Sequence, residues 1–462
     1  MNVREVVLDI LLELSKQNEY SNILIADALE KYNHLNGREK AFIKRVSEGT
    51  LERRIQIDYI LDQFSKVPVK KMKPFIRELM RMSCYQILFM ENIPDAAICN
   101  EAVKLAKKRK FQSLQGYVNG VLRAIARGKD QITYPDRQTA YHEYLSVYYS
   151  MPLWLTEHFC KAYGDRQCEM ILKSFLQRGA VSIRLQETFD ENERERLIAT
   201  WRGEGVEVRT SSYLPYAVEV EKVDGIRSLA GYEEGAFAVQ DISSMLVAEA
   251  AGIKAGDTVI DVCAAPGGKA LHAAAKLAGT GQVIACDVTA YKTRKIVENR
   301  DRMNMTNVSV EIQDARVKDE ELIERADVLI ADVPCSGLGV IGKKQDIKYR
   351  VTPESIQEVI ALQKEIIGNV VQYLKPDGTM MYSTCTMNPA ENEEMVEWIC
   401  KEYGMETQSM AQSMPEAFKE AADKGYIQLL PGVQGTDGFF LAKLKNKPIR
   451  DCQRDKPLQN GD

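Results

Sequence analysis

The chain has 462 residues, 45% of them hydrophobic and 27% charged, the make-up of a soluble globular protein of two or three domains. No apolar run approaches the ~18 residues that a bilayer span needs. The start, Met1-Asn-Val-Arg-Glu5, leads into an amphipathic stretch holding Asp9 and Glu13 rather than a signal peptide, so a cytoplasmic chain without membrane association is expected. The net charge of −5 hides an asymmetry: residues 1–130 carry 23 Lys+Arg against 16 Asp+Glu, leaving 38 against 50 for the rest. A basic N-terminal module on an acidic body follows, a distribution compatible with a nucleic-acid partner.

The first 130 residues read as an all-α bundle. Val6, Val7, Ile10, Leu11 and Leu14 share one helical face, and Ser21 is the expected N-cap of a helix over Asn22–Tyr32. One long periodic segment runs from Arg38 to Phe64. Pro74 opens another helix through Phe89, and two more cover Ala97–Lys108 and Gly116–Ala126.

Residues 131–235 change character and are expected to form a small α+β linker subdomain that also contacts RNA. Aromatics cluster at Tyr141, Tyr144, Tyr148, Tyr149 and Trp154, Pro152 opens a helix, and strand-like runs follow at Val181–Leu185, Val206–Thr210 and Ala217–Val220. From residue 236 to 446 strands and helices alternate. The strand candidates are Thr258–Val262, Gln282–Val288, Val308–Gln313, Val328–Val333, Gly378–Thr384, Ile427–Leu430 and Gly438–Leu444. Helical patterns cover Leu271–Leu277, Ala290–Met303, Pro353–Leu374 and Glu391–Glu402. This alternation calls for an α/β, Rossmann-like domain with a mostly parallel sheet covered on both faces. The last two strands have no helix of obvious length between them, which allows one to run antiparallel. The tail, 447–462, is polar and is read as disordered.

In open α/β sheets ligands lie beyond the carboxyl ends of the strands. The first strand of this domain delivers Cys263-Ala264-Ala265-Pro266-Gly267-Gly268-Lys269 to that edge, where the two glycines let backbone approach a ligand. Asp287 ends the second strand and suits ribose hydroxyls, Asp314 ends the third and suits an adenine amino group, and Asp332 ends the fourth. A single glycine-rich turn is only a tight turn, but acidic residues at successive strand ends form a pattern. The turn is neither Gly-x-Gly-x-x-Gly nor a P-loop, so a nucleoside cofactor without a phosphate cradle fits, namely S-adenosylmethionine.

The ten cysteines are scattered, with no Cys-x-x-Cys pair and only four histidines (His34, His142, His158, His272), so neither disulfides nor a metal site is expected. Free buried cysteine is ordinarily an inert small hydrophobe, the reading for Cys84, Cys99, Cys160, Cys168, Cys286 and Cys400. Cys335, in Asp332-Val-Pro-Cys-Ser-Gly337, and Cys385, in Tyr382-Ser-Thr-Cys385, differ because both follow strands at the ligand edge. Cys385 also precedes an expected helix start, where a thiol gains thiolate character. A thiolate beside a methyl donor suits methylation of a pyrimidine carbon: adding to carbon 6 of cytosine turns carbon 5 into an enamine-like nucleophile. On this chemistry alone either cysteine could attack.

These blocks, with Val239-Gln-Asp-Ile-Ser-Ser244, Asp346-Ile-Lys348, Pro389-x-Glu-Asn392 and Thr436-Asp-Gly-Phe-Phe440, resemble the Sun/Fmu/nucleolar-protein family of RNA cytosine-5 methyltransferases. The helical N-terminus resembles the NusB RNA-binding fold through Leu35-Asn-Gly-Arg-Glu39 and Tyr117-Val-Asn-Gly-Val-Leu-Arg123. The resemblance implies a class I methyltransferase acting on small-subunit rRNA at cytosine 967; the RNA is expected to be unassembled or partly assembled, because the base must be unstacked, and the enzyme is taken as a monomer without a metal. It further implies that Cys385 adds to carbon 6, that Cys335 assists release, that Asp332 contacts the base, and that Lys269 meets either the base or the cofactor's carboxylate end. Two departures stand out. Gly342-Lys-Lys-Gln345 replaces the family's basic pair and proline, with loss of an arginine-type phosphate contact as the expected effect, and Ala270 replaces a threonine. Other readings are the same chemistry on tRNA or large-subunit rRNA, and a non-catalytic ribosome-assembly factor with a vestigial fold.

Overall fold

The computed structural model describes residues 2–16, 20–177, 179–223 and 225–446; the tail read as disordered lies outside them. Two compact units divide the chain, Met1–Arg178 with Val340–Val351, and Gly179–Gly339 with Thr352–Asp462. The division differs from the expected boundaries at 130 and 235. Helices Tyr141–Tyr148, Leu153–Tyr163 and Asp165–Phe175 of the 131–235 segment fall in the first unit, and helix Glu191–Gly203 with the segment's strands in the second, so it is not a compact body of its own.

The first unit is helical. Helix Val3–Leu14 turns Val6, Val7, Ile10, Leu11 and Leu14 inward, as their spacing requires, and Asn2 caps it. The segment Arg38–Phe64, expected to be continuous, is two helices, Gly37–Glu52 and Arg54–Phe64, broken at Arg53. Distant residues take up the backbone groups freed by the break. Ser150 Oγ accepts from the Ile55 amide at 3.0 Å. Tyr349 donates to the Leu51 carbonyl at 2.8 Å, and Lys348 donates to the carbonyls of Glu52 at 2.8 Å and Ser150 at 2.7 Å. Burial lowers the Lys348 pKa to about 7.

Ser21 is also placed differently. It is the first residue of helix Ser21–Lys31 rather than its cap. Its amide and hydroxyl both donate to the Asp346 carboxylate, at 3.2 and 2.7 Å, and Arg350 pairs with the same carboxylate at 3.2 Å. An acidic group thus serves this helix N-terminus from more than three hundred residues away in sequence. Helices Tyr141–Tyr148, Leu153–Tyr163 after Pro152, and Asp165–Phe175 complete the unit.

The second unit holds two sheets. The smaller is antiparallel, in the order β2-β3-β1-β4, from β1 (Val181–Leu185), β2 (Glu207–Thr210), β3 (Ala217–Glu221) and β4 (Phe237–Val239). Helix Glu191–Gly203 buries Trp201 edge-on against Phe237.

The larger sheet comprises β5 (Thr258–Asp261), β6 (Gln282–Asp287), β7 (Val308–Ile312), β8 (Ala326–Asp332), β9 (Leu374–Thr384), β10 (Glu406–Thr407), β11 (Tyr426–Leu429) and β12 (Phe439–Lys445). Its order is β10-β12-β9-β8-β5-β6-β7, with β11 also on β12. Strands β5 to β9 run parallel, while β12 is antiparallel to β9, β10 and β11. The parallel strands read as unbroken apolar runs because both faces are covered. Val259, Ile330 and Met381 enter one core, and Ile260, Leu329, Ala331, Met380 and Tyr382 enter the other. After β7 the chain crosses to the other side of β5 to form β8, so the connections leaving β5 and β8 diverge and open a crevice at their carboxyl ends.

Removing the Asp346 carboxylate strands two donors of Ser21 and the Arg350 charge. Asp346→Ala is expected to destabilise the helical unit by about 1–3 kcal/mol, read as a lower urea midpoint with unchanged helix content.

Candidate active site

Strand β5 ends in Asp261, which is buried, and burial together with the nearby Asp332 charge raises its pKa to about 7. The chain then passes through Cys263 and Ala264 to the turn that starts helix Gly268–Lys276. Gly267 has φ +107°, in the left-handed region, and a Cβ there would press on Ile296 at 3.3 Å. At Gly268 a Cβ would meet Gln240 only at an ordinary 3.7 Å, so the protein's own packing does not demand glycine there.

Asp287 at the end of β6 is buried and holds this turn: its Oδ2 accepts from the Ala265 amide at 3.0 Å, and its Oδ1 accepts from the Val288 amide at 2.8 Å and pairs with Lys292 at 3.0 Å. Asp314, just past β7, is gripped by the Arg316 guanidinium at 2.6 Å, which lowers its pKa. Between and beyond these carboxylates Val288, Ile312 and Val317 are exposed apolar side chains, with Ile312 64% and Val317 65% exposed. An apolar ledge flanked by acceptors fits an adenine ring and its ribose. The residues present therefore suit S-adenosylmethionine, with Cys263–Lys269, Asp287, Asp314 and Asp332 as the candidates to hold it.

The catalytic candidates meet at the ends of β8 and β9. These strands are parallel with Asp332 opposite Ser383, so the loops that follow them lie side by side. Cys335 and Cys385 come together with their sulfurs 3.3 Å apart. Three hydrogen bonds tie the two loops: Val333 N–H to the Ser383 carbonyl at 3.2 Å, Gly339 N–H to the Cys385 carbonyl at 3.0 Å, and the hydroxyls of Ser336 and Thr386 at 2.7 Å. Gly438, at the entry to β12, donates to the Gly339 carbonyl at 3.0 Å. A Cβ on Gly339 would overlap the Gly438 carbonyl oxygen, so this approach needs glycine.

Lys269 supplies the positive charge. Its Nζ lies 2.7 Å from Asp332 Oδ2 and 5.1 Å from the centre of the Phe439 ring. Burial opposes that charge, but Asp332, Asp261 and Cys385 outweigh it and raise the Lys269 pKa. Ser383 donates to the other Asp332 oxygen at 2.7 Å. The Cys335 thiol is pushed well above its usual range by its hydrogen bond with Cys385, by burial and by the charges of Cys385 and Glu391. Cys263 is likewise held protonated, by burial first and then by Asp261, Asp287 and Asp332.

The helix expected from Glu391 begins two residues later than its sequence pattern implies. A short 3-10 turn covers Pro389–Glu391 and the α-helix begins at Glu393, while Lys269 is a positive group near the Cys385 sulfur. Ser336, Thr386, Ser383, Glu391 and the Gly339–Gly438 contact were not identified as functional from sequence. Glu391 and Gly438 lie within the motif blocks named above, but no local pattern assigns them partners.

A separate polar cluster lies under the small sheet. Glu187, Glu249 and His272 bring ligand-type atoms within 4.8 Å of one another, the spacing of a metal site. Lys276 Nζ lies 2.6 Å from Glu187 and 2.5 Å from Glu249 and already supplies a cation there.

A family model described as 16S rRNA methyltransferase RsmB/F matches residues 250–445, and one for the NusB family matches residues 1–127. The chain is 34% identical to the probable ribosomal RNA small subunit methyltransferase B of Bacillus subtilis (strain 168), over 96% of this chain and 99% of that one. The chain belongs to the RsmB/F family. It is an S-adenosylmethionine-dependent rRNA methyltransferase. It is 28% identical to ribosomal RNA small subunit methyltransferase B of Escherichia coli O1:K1 / APEC, covering 96% of this chain and 99% of the relative. The fold is shared with the crystal structure of PH0851 (TM-score 0.78, 23% identity, 96% of this chain and 99% of that one). It is shared also with NSun6 from Pyrococcus horikoshii, solved with SFG (TM-score 0.56, 23% identity, 64% of this chain and 98% of that one).

His272 is fully buried, and burial, then the Arg184 charge, lowers its pKa to about 4 despite Glu187. As pH falls the unfolded chain takes up this proton first, so the ring's contribution to stability is full above pH ~6.5 and is lost between about 6.5 and 4. Its ring-nitrogen NMR shifts are expected to titrate near 4; a midpoint near the ordinary value would mean that the ring is open to water.

Proposed function

We propose that this enzyme methylates carbon 5 of a cytosine in small-subunit rRNA, cytosine 967 of the 16S molecule, through a covalent bond between Cys385 and carbon 6. The observation that carries the reading is the pair of sulfurs 3.3 Å apart at the ligand edge, with the Lys269–Asp332 ion pair beside them. Lys269 favours the thiolate of Cys385, while Cys335 stays protonated and donates to it. When the thiolate adds, the S–C6 bond forms and the electron pair of the C5–C6 double bond shifts toward carbon 5, with Asp332 hydrogen-bonded to the base ring. S-adenosylmethionine, when bound, supplies the methyl group. Release then requires that water take up the carbon 5 proton, that the C5–H electron pair restore the C5–C6 double bond, and that the S–C6 pair return to Cys385. Cys335 touches the departing sulfur and assists this step.

Lys269 is assigned to the base side of the site, because its ammonium is engaged by Asp332 and lies over Phe439. The target base has to leave its stack to reach two sulfurs at a crevice edge, so unassembled or partly assembled rRNA is the natural substrate. The basic NusB-like module supports an RNA partner, and its neutralisation of phosphates makes binding salt-dependent. We assign the protein to the cytoplasm and treat it as a monomer; the compact units do not follow the domain limits 1–130, 131–235 and 236–446, and we keep those as functional segments only.

Cys385→Ala is expected to reduce methyl transfer by about 10⁴-fold or more. Cys335→Ala is expected instead to accumulate a protein–RNA adduct that survives a denaturing gel. Activity in Cys385→Ala with no adduct in Cys335→Ala would reverse the roles. With radiolabelled S-adenosylmethionine and protein-free 16S rRNA, bisulfite mapping is expected to find one resistant cytosine. Incorporation into tRNA or large-subunit rRNA alone would keep the chemistry and discard the substrate, and incorporation into none would favour a non-catalytic factor.

A further inference from the structure

Glu391 is a fully buried carboxylate that the reaction does not use. Four donors converge on it. The Ser336 amide donates to Oε2 at 2.8 Å and the Ser336 hydroxyl lies 2.5 Å from Oε1. Gln363 Nε2 donates to Oε2 at 3.1 Å and Asn388 Nδ2 to Oε1 at 3.0 Å. Its own main-chain carbonyl accepts from the Tyr382 hydroxyl at 2.6 Å, beneath the end of β9. Gln363, from helix Pro353–Val370, also donates to the Pro334 carbonyl at 2.9 Å. The residues on both sides of Cys335 are therefore held by one carboxylate and the glutamine bonded to it. Ser336 then passes the constraint to the residue after Cys385 through its contact with Thr386.

We propose that Glu391 is a positioning residue for Cys335: through Ser336 it latches the release cysteine's loop to the nucleophile's loop. This rests on the roles given to the two cysteines above. A carboxylate suits this position because all four partners are N–H or O–H donors, and it presents acceptors on both oxygens. An amide of the same shape has one acceptor oxygen, and its NH₂ would face two donors with nothing to accept them. None of these bonds is to Cys385 itself, which directly follows β9 and has Lys269 near its sulfur. Loosening the latch therefore moves Cys335 and leaves addition and methyl transfer in place. The step that suffers is release, in which the C5–H pair restores the double bond and the S–C6 pair returns to Cys385.

The test compares wild type, Glu391→Gln, Ser336→Ala, Thr386→Val and Cys335→Ala in the full-length enzyme with 16S rRNA. For Glu391→Gln we expect single-turnover methyl transfer within about threefold of wild type, a turnover number lower by about tenfold or more, an unchanged KM for RNA, and a gel-stable adduct although Cys335 is present. Ser336→Ala and Thr386→Val should give the same split in smaller measure, and they decide the matter if Glu391→Gln does not fold. Equal loss of transfer and release, or turnover at the wild-type rate without adduct, overturns the latch. The control separates the two readings. If Cys335→Ala traps no adduct, the cysteine roles fail and the latch with them; if it traps adduct and the latch variants do not, the latch alone fails.

Discussion

Parallel strands hydrogen-bond in a fixed register, and in this enzyme the register of β8 on β9 sets Asp332 opposite Ser383. Cys335 leaves the sheet three residues after the first and Cys385 two residues after the second. Two loops starting side by side on neighbouring strands have little freedom to separate, and cross-bonds at Val333, Gly339 and Ser336 remove more of it. The sulfur contact at 3.3 Å follows from strand pairing rather than from either cysteine's own preferences. A one-residue slip of β9 would turn Ser383 and Cys385 to the opposite face of the sheet and dissolve the site.

Charge is distributed sparingly around this contact. Asp261, Asp287 and Asp332 crowd one edge, and burying so many carboxylates unpaired would be prohibitive. Each is dealt with differently: Asp287 by two backbone amides and Lys292, Asp332 by Lys269 and Ser383, and Asp261 by a pKa lifted to about 7. Lys269 is thereby shared between an acidic edge and a thiol. The same lysine that neutralises Asp332 also lies near Cys385, whereas the Cys335 thiol is pushed up by its partner sulfur, by burial and by Glu391. Two chemically identical side chains thus sit in different electrostatic surroundings.

Much of the catalytic unit was legible because its signals are local. Unbroken apolar runs such as residues 328–331 name buried parallel strands, and an acidic residue at the end of each names the ligand edge. The Pro-Cys and Thr-Cys turns announce themselves at strand ends in the same way. What escaped depends on partners far away in sequence. The break at Arg53 carries no glycine or proline; it is stabilised by Ser150, Lys348 and Tyr349. Ser21 looked like a cap because serines commonly are, but its hydroxyl is spent on Asp346. The helix expected to begin at Glu391 starts at Glu393, because Glu391 turns inward to gather four donors. Propensity and period see none of these bonds.

The segment Val340–Val351 bears on how the chain's modules are to be understood. It follows the Cys335 loop directly in sequence, yet its contacts class it with the helical unit. Lys343 and Lys344, whose neighbourhood departs from the family's basic pair, are followed at once by Asp346 and Lys348, both buried and both bonded to helical residues. The Asp346-Ile-Lys348 block therefore has a structural role, in which Asp346 serves a helix N-terminus and Lys348 serves two carbonyls, one of them freed where a helix breaks. A polypeptide ending at residue 178 would lack all four bonds and leave the two Ser21 donors and the Glu52 and Ser150 carbonyls to find other partners. The NusB match ends at residue 127, so these demands belong to a helical module that has come to depend on a stretch of chain threaded through the catalytic domain's sequence. A module boundary drawn on sequence likeness, at 127 or 130, cuts through that dependence, because a likeness registers which residues recur and not which distant residues satisfy their backbone.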